Sequence, residues 1–214
     1  MITIKKFIFN PFSENTYVIW DEETHEGIVV DPGCIDSFEE KELSDFIEEK
    51  GIEPKYLVIT HCHIDHVLGI KFIKEKYNPI YLVPELDKSL LEFSDKQAAA
   101  FGIEFDNPPM PDQYIDEYKK IYLGTSEITF LFTPGHSPGE HCLYFEKEKF
   151  CIAGDVLFHG GIGRTDLWGG DYDTLLKSIR EKLFILPDDT VIYPGHGENT
   201  RIGIEKRENP FVKM

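Results

Sequence analysis

The sequence predicts an α/β protein built from two β-sheets with helices on their outer faces. Short apolar runs of strand length alternate with turns in the first third of the chain. Stretches with helical spacing then follow single strands, and a group of closely spaced strands begins in the second half. We find no internal repeat of about 20–50 residues, the period that would indicate a solenoid or a propeller.

The first third of the chain is expected to contain three strands and one helix. The strands are expected at residues 2–9, 15–20 and 27–31. A change to helical spacing predicts a helix at 37–50. Ser37 and Glu40 have the spacing of a capping box, and Gly51 is a suitable C-terminal stop for this helix.

The remaining elements continue the alternation of strands and helices. Further strands are expected at 56–60, 80–83, 127–133, 141–145, 149–155 and 190–193. Further helices are expected at 67–77, 84–101 and 172–186, and a proline-rich loop at 106–114. The last helix has one apolar stripe, which predicts that this face is buried in the core. The stripe consists of Leu175, Leu176, Ile179, Leu183 and Leu186.

Length and composition indicate one domain that spans 1–214. A chain of 214 residues can bury about 70% or more of its unfolded surface in a single core. The net charge of −17 argues against a partner that is bound through its phosphates, so we expect no nucleic acid. The four cysteines form no C-x-x-C pair, and MITIKKFIFN lacks the apolar segment of a secretory leader. No apolar run approaches the ~20 residues of a membrane span. We therefore expect reduced cysteines, a cytoplasmic location and no membrane partner, while the sequence leaves the oligomeric state open.

The stretch YLVITHCHIDHVLGI (56–70) concentrates potential metal ligands. His61, His63 and Asp65 have the same parity, so an extended backbone would direct all three side chains to one side. A helix that begins near residue 67 would turn His66 elsewhere, towards a different centre. Asp65 by itself is also a plausible N-cap for that helix.

Three more potential ligands follow other predicted strands. They are His136 in TPGHSPG, Asp155 in AGD and His196 in YPGHGEN. A single histidine is usually an ordinary core or surface residue. However, five histidines and two aspartates exceed the needs of one tetrahedral zinc. The set is typical of two metal ions, about 3.5–4 Å apart, that share a carboxylate.

Six sequence motifs around these residues extend over nearly the whole chain. They are VVDPG (29–33), THCHIDHVLG (60–69), FTPGHSPGEHCLYF (132–145), AGDVLF (153–158), GGIGRTDLWGGD (160–171) and YPGHGENT (193–200). Together they resemble the metallo-β-lactamase-fold hydrolases, and among these the short glyoxalase II-like (hydroxyacylglutathione hydrolase-like) proteins. The resemblance implies an αββα sandwich, in which two mixed sheets are flanked by helices. It also implies a first ion held by His61, His63 and His136, a second held by Asp65, His66 and His196, and Asp155 bridging both.

The activity that this resemblance implies is hydrolysis of a thioester, such as a hydroxyacylglutathione, by a bridging hydroxide. Two cations lower the pKa of bound water from ~15.7 towards 7, and Asp65 would orient that water. A thiolate leaves without a strong general acid. The implied cofactors are two divalent ions, with zinc preferred, although imidazole and carboxylate ligands also accept iron and manganese.

Two further residues have a possible role beside the metals. Arg164, in GIGRTDLW, is expected at the mouth of the site, where its fork would suit a carboxylate of the substrate. A solvated surface arginine is the alternative, and Asp166 would only hold the loop. Asp31 either supports a ligating histidine through a hydrogen bond or simply forms the turn before Pro32.

Several alternatives remain open at the level of the sequence. Full-length glyoxalase II proteins carry a C-terminal helical domain that helps to bind glutathione, but 18 residues follow His196. We therefore expect no such domain, and the thiol need not be glutathione. In lactamases of this fold, a cysteine usually occupies the position of Asp155 and a secretory leader is present, which argues against β-lactams as the main substrate.

Two other functions compete with thioester hydrolysis. The persulfide dioxygenases share the G-x-G-R-T-D stretch, and a resemblance to them would imply a single iron at His61, His136 and Asp155. The remaining alternative is a metal-stabilised binding domain without turnover. A structural site of that kind does not usually need a shared carboxylate and an open coordination position.

Overall fold

A computed structural model of the protein describes residues 1–116 and 118–212. The strands are β1 Ile2–Phe9, β2 Glu14–Asp21, β3 Glu26–Val30, β4 Glu53–Val58, β5 Ile80–Pro84, β6 Gln113–Ile115, β7 Lys120–Leu123, β8 Ser126–Phe132, β9 His141–Phe145, β10 Phe150–Gly154, β11 Leu157–Phe158, β12 Gly161–Ile162, β13 Val191–Pro194 and β14 Thr200–Arg201. The helices are α1 Ser37–Glu49, α2 Ile70–Tyr77, α3 Lys88–Glu92, α4 Ser94–Ala100, α5 Tyr172–Ser178 and α6 Ile202–Glu208. Glu117 and the last two residues of the expected 1–214 domain lie outside the described residues.

The strands form two mixed sheets of six strands and one small hairpin. The first sheet has the order β1-β2-β3-β4-β5-β6, the second has the order β14-β13-β10-β9-β8-β7, and β11 pairs with β12. Strands β3 to β6 run parallel because the connections between them carry helices or long loops. In the second sheet only β10 and β13 are parallel, and α5 lies in their connection. The expected two-sheet sandwich with outer helices is confirmed.

Alternation along the strands divides the apolar residues among three cores. Strand β2 illustrates this division, since Tyr17 and Ile19 face the second sheet while Val18 and Trp20 face the helices. Between the sheets, residues of the first sheet pack against Phe130, Leu143, Phe145 and Ile152 of the second. Helices α1 to α4 cover the outer face of the first sheet, and α5 and α6 cover that of the second. No helix among the described residues is long and apolar enough to cross a membrane.

The ends of helix α1 differ from the expected capping box. Asp36, not Ser37, is the N-cap, because its carboxylate accepts hydrogen bonds from the N–H groups of Phe38 and Glu39. The predicted C-terminal stop is confirmed, since Gly51 adopts a φ of 62° just beyond the helix.

The expected helix at 84–101 is interrupted. It consists of a 3₁₀ turn at Glu85–Asp87 followed by the short helices α3 and α4, with Phe93 between them. The hydroxyl of Ser94 donates to the carbonyl of Leu91 at 2.7 Å, a side-chain bond that competes with continuation of a regular helix. The predicted helix at 172–186 likewise ends as α5 at Ser178, and a π-type turn at Ile179–Leu183 continues it.

Strand β4 and the segment after it also differ from the expectation in a way that matters for the site. The strand ends at Val58, because the N–H of Thr60 donates to the carboxylate of Asp31 instead of to a strand neighbour. The expected helix at 67 begins only at Ile70, and a 3₁₀ turn, Ile64–His66, precedes it. His66 therefore projects from a tight turn.

Candidate metal centre

The seven expected ligands meet at one edge of the sandwich. In each sheet, parallel strands place their carboxyl ends at the same edge, where open α/β folds bind ligands. His61 and His63 follow β4, and Asp155 directly follows β10. His196 follows β13, and the carbonyl of the preceding Gly195 accepts the N–H of Asn15 at 2.7 Å. This bond connects the site loop of the second sheet to strand β2 of the first.

The first group consists of three buried histidines. The Nδ1 atom of His63 lies 2.8 Å from Nε2 of His136, and that Nε2 lies 3.3 Å from Nε2 of His61. The potential ligand atoms of the three residues all lie within 4.8 Å of one another. Three converging imidazole nitrogens of this kind can hold one transition-metal ion.

The second group consists of Asp65, His66 and His196. Oδ2 of Asp65 lies 3.1 Å from Nε2 of His196 and 3.6 Å from Nε2 of His66. The ligand atoms of this group also lie within 4.8 Å of one another. His63 and His66 belong to different groups because the 3₁₀ turn directs the side chain of His66 away from that of His63.

Asp155 lies between the two groups. Its Oδ2 atom is 3.6 Å from Nε2 of His136 in the first group and 3.6 Å from Nε2 of His196 in the second. Its Oδ1 atom is 3.6 Å from Nε2 of His66. An ion held by the first group and an ion held by the second could therefore share the carboxylate of Asp155.

The hydrogen bonds of His61 and His136 indicate that the Nε2 atom of each ring carries a lone pair. Nδ1 of His136 lies 2.8 Å from the carbonyl of Arg164, to which it can only donate. The hydroxyl of Thr60 donates to Asp31, so it accepts from Nδ1 of His61 at 3.0 Å. The two Nε2 atoms therefore face each other as acceptors, an arrangement that a cation between them would stabilise.

Two buried atoms of the site have no hydrogen-bond partner. They are Nε2 of His66 and Oδ1 of Asp155. Buried polar atoms are normally paired, and the exceptions include atoms that hold a bound ion. The donor set of imidazole and carboxylate, together with these two atoms, fits a pair of transition-metal ions.

Burial also keeps His61 and His63 of the first group neutral. Desolvation, together with the neighbouring imidazoles, lowers the pKa of His61 well below its usual value. The same two causes lower the pKa of His63 to about 3. Although burial by itself raises the pKa of Asp65, His66 and His196 hold that pKa well below its ordinary range. Neutral imidazoles and an ionised carboxylate are the protonation states that metal binding requires.

Asp31 lies next to the second group and is hydrogen-bonded to His66. Its carboxylate accepts three hydrogen bonds, from the N–H of Thr60 at 2.7 Å, the hydroxyl of Thr60 at 2.6 Å and Nδ1 of His66 at 3.2 Å. Asp31 lies within reach of His61 and His66 as a third possible ligand group. Because its oxygens already accept these donors, the geometry favours orientation of His66 over direct metal binding.

Sequence reasoning missed two fully buried glutamates in the same layer. Oε1 of Glu140 accepts the N–H of Asp155 at 2.7 Å and lies 3.6 Å from Nδ1 of His61. Glu14 accepts the hydroxyl of Thr16 at 2.8 Å and lies 3.9 Å from Nδ1 of His66. Burial raises the pKa of both carboxyl groups well above the usual value. Glu140 immediately follows the TPGHSPG motif, which was the one available signal, whereas Glu14 is remote from every motif.

The backbone at Gly195 approaches Asp155 too closely for any side chain. An added Cβ atom would lie 2.2 Å from Oδ1 of Asp155 and 2.8 Å from Cε1 of His66. We expect Gly195→Ala to displace the carboxylate and to reduce metal affinity about 10- to 100-fold. Titration with zinc against a chromophoric chelator measures this affinity. Gly161→Ala is the control, because the nearest atom would be a Cβ of Phe158 at 3.6 Å. Unchanged affinity in Gly195→Ala would contradict a ligand role for Asp155.

A cleft of about 680 Å³ opens above the histidines and aspartates. Arg164 lines this cleft, as the sequence predicts for the mouth of the site. Its Nε and Nη2 atoms donate to the two carboxylate oxygens of Asp166, each at 2.8 Å. The fork that we expected for a substrate carboxylate is thus engaged within its own loop. The contact of Arg164 with the site is made by its backbone carbonyl, which orients His136.

Comparisons with known proteins agree with this geometry. The family model of the Metallo-beta-lactamase superfamily matches residues 9–196. Hydroxyacylglutathione hydrolase GloC of Haemophilus influenzae is 41% identical over 203 residues, which cover 94% of this chain and 93% of GloC. Among solved structures, the B3 metallo-beta-lactamase BLEG-1 has a TM-score of 0.90 at 30% identity, covering 99% of this chain and 100% of its own. TTHA1623, solved in a di-iron-bound form, has a TM-score of 0.86 at 33% identity, covering 97% and 99%.

Proposed function

The chain belongs to the metallo-β-lactamase superfamily, and we propose that this metallo-hydrolase uses two divalent ions to cleave a thioester such as a hydroxyacylglutathione. The observation that carries the proposal is the position of Asp155, 3.6 Å from a histidine of each group. The similarity to GloC supports the thioester class. The di-iron form of TTHA1623 supports two ions on this fold and makes iron as plausible as zinc.

Each of the site residues would have a defined role in such a reaction. His61, His63 and His136 would hold the first ion, and Asp65, His66 and His196 the second, with Asp155 shared. When bound, two such ions supply a hydroxide at neutral pH and polarise the carbonyl of the substrate. The carboxylate of Asp65, which lines the cleft, would accept a hydrogen bond from the attacking water and so orient it.

The surrounding hydrogen bonds fix these ligands before substrate arrives. The carbonyl of Arg164 and the carboxylate of Asp31 fix the tautomers of His136 and His66 respectively. Asp155 is held through its own N–H, which donates to Glu140. Such preorganisation matters because ligand positions must not relax when charge develops on the reacting carbonyl. Since a thiolate is a good leaving group, the absence of a general acid from this scheme costs little.

The metal content of the purified chain is the first test of this proposal. We expect two ions per chain after loading with zinc, iron or manganese, and hydrolysis of lactoylglutathione followed by thiol release. His196→Ala should retain one ion, because it removes a ligand of the second group only, and His159→Ala should retain both. One iron per chain with oxygen consumption on a persulfide, or hydrolysis of a β-lactam but of no thioester, would overturn the proposal. Stable metal binding with no turnover of any of these substrates would favour a binding domain.

A further inference from the structure

The cleft above the metal centre is polar at its floor and apolar along its walls. The floor is formed by His63, Asp65, His136, Asp155 and His196. The walls carry Phe12, Leu90, Phe101, Phe158, Leu167 and Trp168. A volume of about 680 Å³ lies in the range of cavities that enclose ligands of drug size. The space is much larger than the reacting carbonyl alone requires.

The wall residues come from separate segments, and two of them, Phe101 and Trp168, are largely exposed. Phe12 from the β1–β2 turn and Phe101 from the end of α4 form an edge-to-face pair with ring centroids 5.0 Å apart. Phe101 is 60% exposed, and Trp168 is 64% exposed. Apolar side chains grouped around a concave site are typical of a surface that a ligand covers. These apolar residues line the same cleft as the potential metal ligands, so we identify the ligand that covers them as the substrate.

Apart from ions at the metal centre, the cleft offers little positive charge to an anionic thiol group. Among the described residues that line it, Arg164 is the only lysine or arginine. Two of its donors are already paired with Asp166. The glutathione moiety carries two carboxylates, which would have to compete for this one cation or remain in water. An uncharged, apolar group would instead bury surface against the aromatic walls without losing hydration of a charge.

We propose that the cleft binds a bulky apolar acyl group, and that the preferred substrates are thioesters of apolar acids on an uncharged thiol. This inference rests on the thioester hydrolysis proposed above. In the reaction, the oxygen of water forms the new C–O bond and the C–S bond breaks. The thiolate leaves with the electron pair, and the products are the apolar carboxylate, the thiol and one proton, without any redox change.

A series of acyl thioesters of N-acetylcysteamine tests this preference on the metal-loaded chain. We expect kcat/KM to rise about two- to fourfold per added methylene from acetyl to octanoyl, the scale set by burial of a methylene group. Lactoylglutathione should be a poorer substrate than the octanoyl thioester. Turnover of lactoylglutathione with a flat acyl series would overturn the inference while the proposed function stands. If no thioester were cleaved, the proposed function itself would fail.

A binding measurement that does not depend on turnover uses the two tryptophans of the chain. Trp20 is 8% exposed in the core, whereas Trp168 is 64% exposed on the cleft wall. The non-hydrolysable thioether S-octyl-N-acetylcysteamine should shift the fluorescence of Trp168 to the blue, at lower concentration than its S-ethyl analogue. Trp168→Phe should lack this shift. Equal responses to both thioethers, or no response, would overturn the inference.

Variants of the wall separate the cleft from apolar surface in general. Phe101→Ser should flatten the dependence of kcat/KM on acyl length, because it removes one side of the wall. Phe38→Ser is the matched control, since Phe38 is 76% exposed on α1 and does not line the cleft. The control should show the slope of the wild type. Equal slopes in the two variants would assign the preference to some other part of the molecule. Circular dichroism and the thermal midpoint check that both variants are folded.

Discussion

Replacement of Asp155 by alanine is expected to remove hydrolysis almost completely while the chain remains folded. The carboxylate lies 3.6 Å from Nε2 of His136 and 3.6 Å from Nε2 of His196, so its loss affects both ion positions. We expect kcat/KM to fall by about 10³-fold or more, equivalent to ~4 kcal/mol of transition-state stabilisation. The number of ions per chain should fall in parallel.

The fold should tolerate this change because Oδ1 of Asp155 is buried without a hydrogen-bond partner. Removing such an atom leaves no donor unsatisfied, and the N–H of residue 155 keeps its bond to Glu140. Asp166→Ala is the matched control, an aspartate on the rim whose carboxylate pairs with Arg164. It should retain two ions. Elemental analysis and thiol release measure both quantities, and a fully loaded, active Asp155→Ala chain would refute the shared carboxylate.

Among the variants proposed here, Asp31→Ala is expected to lower the free energy of unfolding most. Asp31 is 1% exposed, and its removal leaves the N–H and hydroxyl of Thr60 and Nδ1 of His66 without their acceptor. Breaking a buried charged network of this kind costs about 3–5 kcal/mol. For a chain of this length, the thermal midpoint should fall by roughly 10 °C. The φ of 48° at this position adds strain for alanine.

Asp31→Asn separates stability from metal binding. Asparagine tolerates the positive φ, and its amide oxygen can still accept the N–H of Thr60. Its NH₂ group, however, is a donor where the carboxylate accepted from His66. His66 must then carry its proton on Nε2, the atom that faces Asp65 and Asp155.

We therefore expect Asp31→Asn to stay more stable than Asp31→Ala and yet to lose the second ion. Asp21→Asn serves as the control, because Asp21 is a buried aspartate that accepts N–H groups in the β2–β3 turn. This control should keep both ions. Chemical denaturation and metal analysis of the three variants decide the question. Full metal occupancy in Asp31→Asn would show that Asp31 has no part in orienting His66.

The layer order of the fold could be predicted from the sequence because strand and helix periods are local properties. The short apolar run of β2 predicts a buried strand, and the apolar stripe of residues 175–186 predicts which face of that helix is buried. Element ends were less predictable. Helix α1 begins after Asp36 and β4 ends at Val58, because the carboxylates of Asp36 and Asp31 accept backbone N–H groups at these ends.

The motifs around residues 61–66, 136, 155 and 196 determined which side chains are available for a metal centre. The family resemblance implied how they are grouped, and the tertiary structure shows how they are brought together. Parallel strands bring the loops of both sheets to one edge, and the bond between Asn15 and Gly195 joins them. The pairing of Arg164 with Asp166 was likewise invisible in the motif, which shows residue types but not side-chain directions.

By itself, the sequence determined the two-sheet architecture and the chemical identity of the potential metal ligands. The family resemblance implied that Asp155 is shared by two groups, and the tertiary structure adds the distances between them. Only the tertiary structure decided that Glu14 and Glu140 lie next to these groups and that the cleft has apolar walls. These features depend on residues far apart in the chain, whose proximity is set by the packing of the two sheets and their connecting helices. Local sequence patterns report the direction of a side chain relative to its own strand or helix, but not the partner that it meets there.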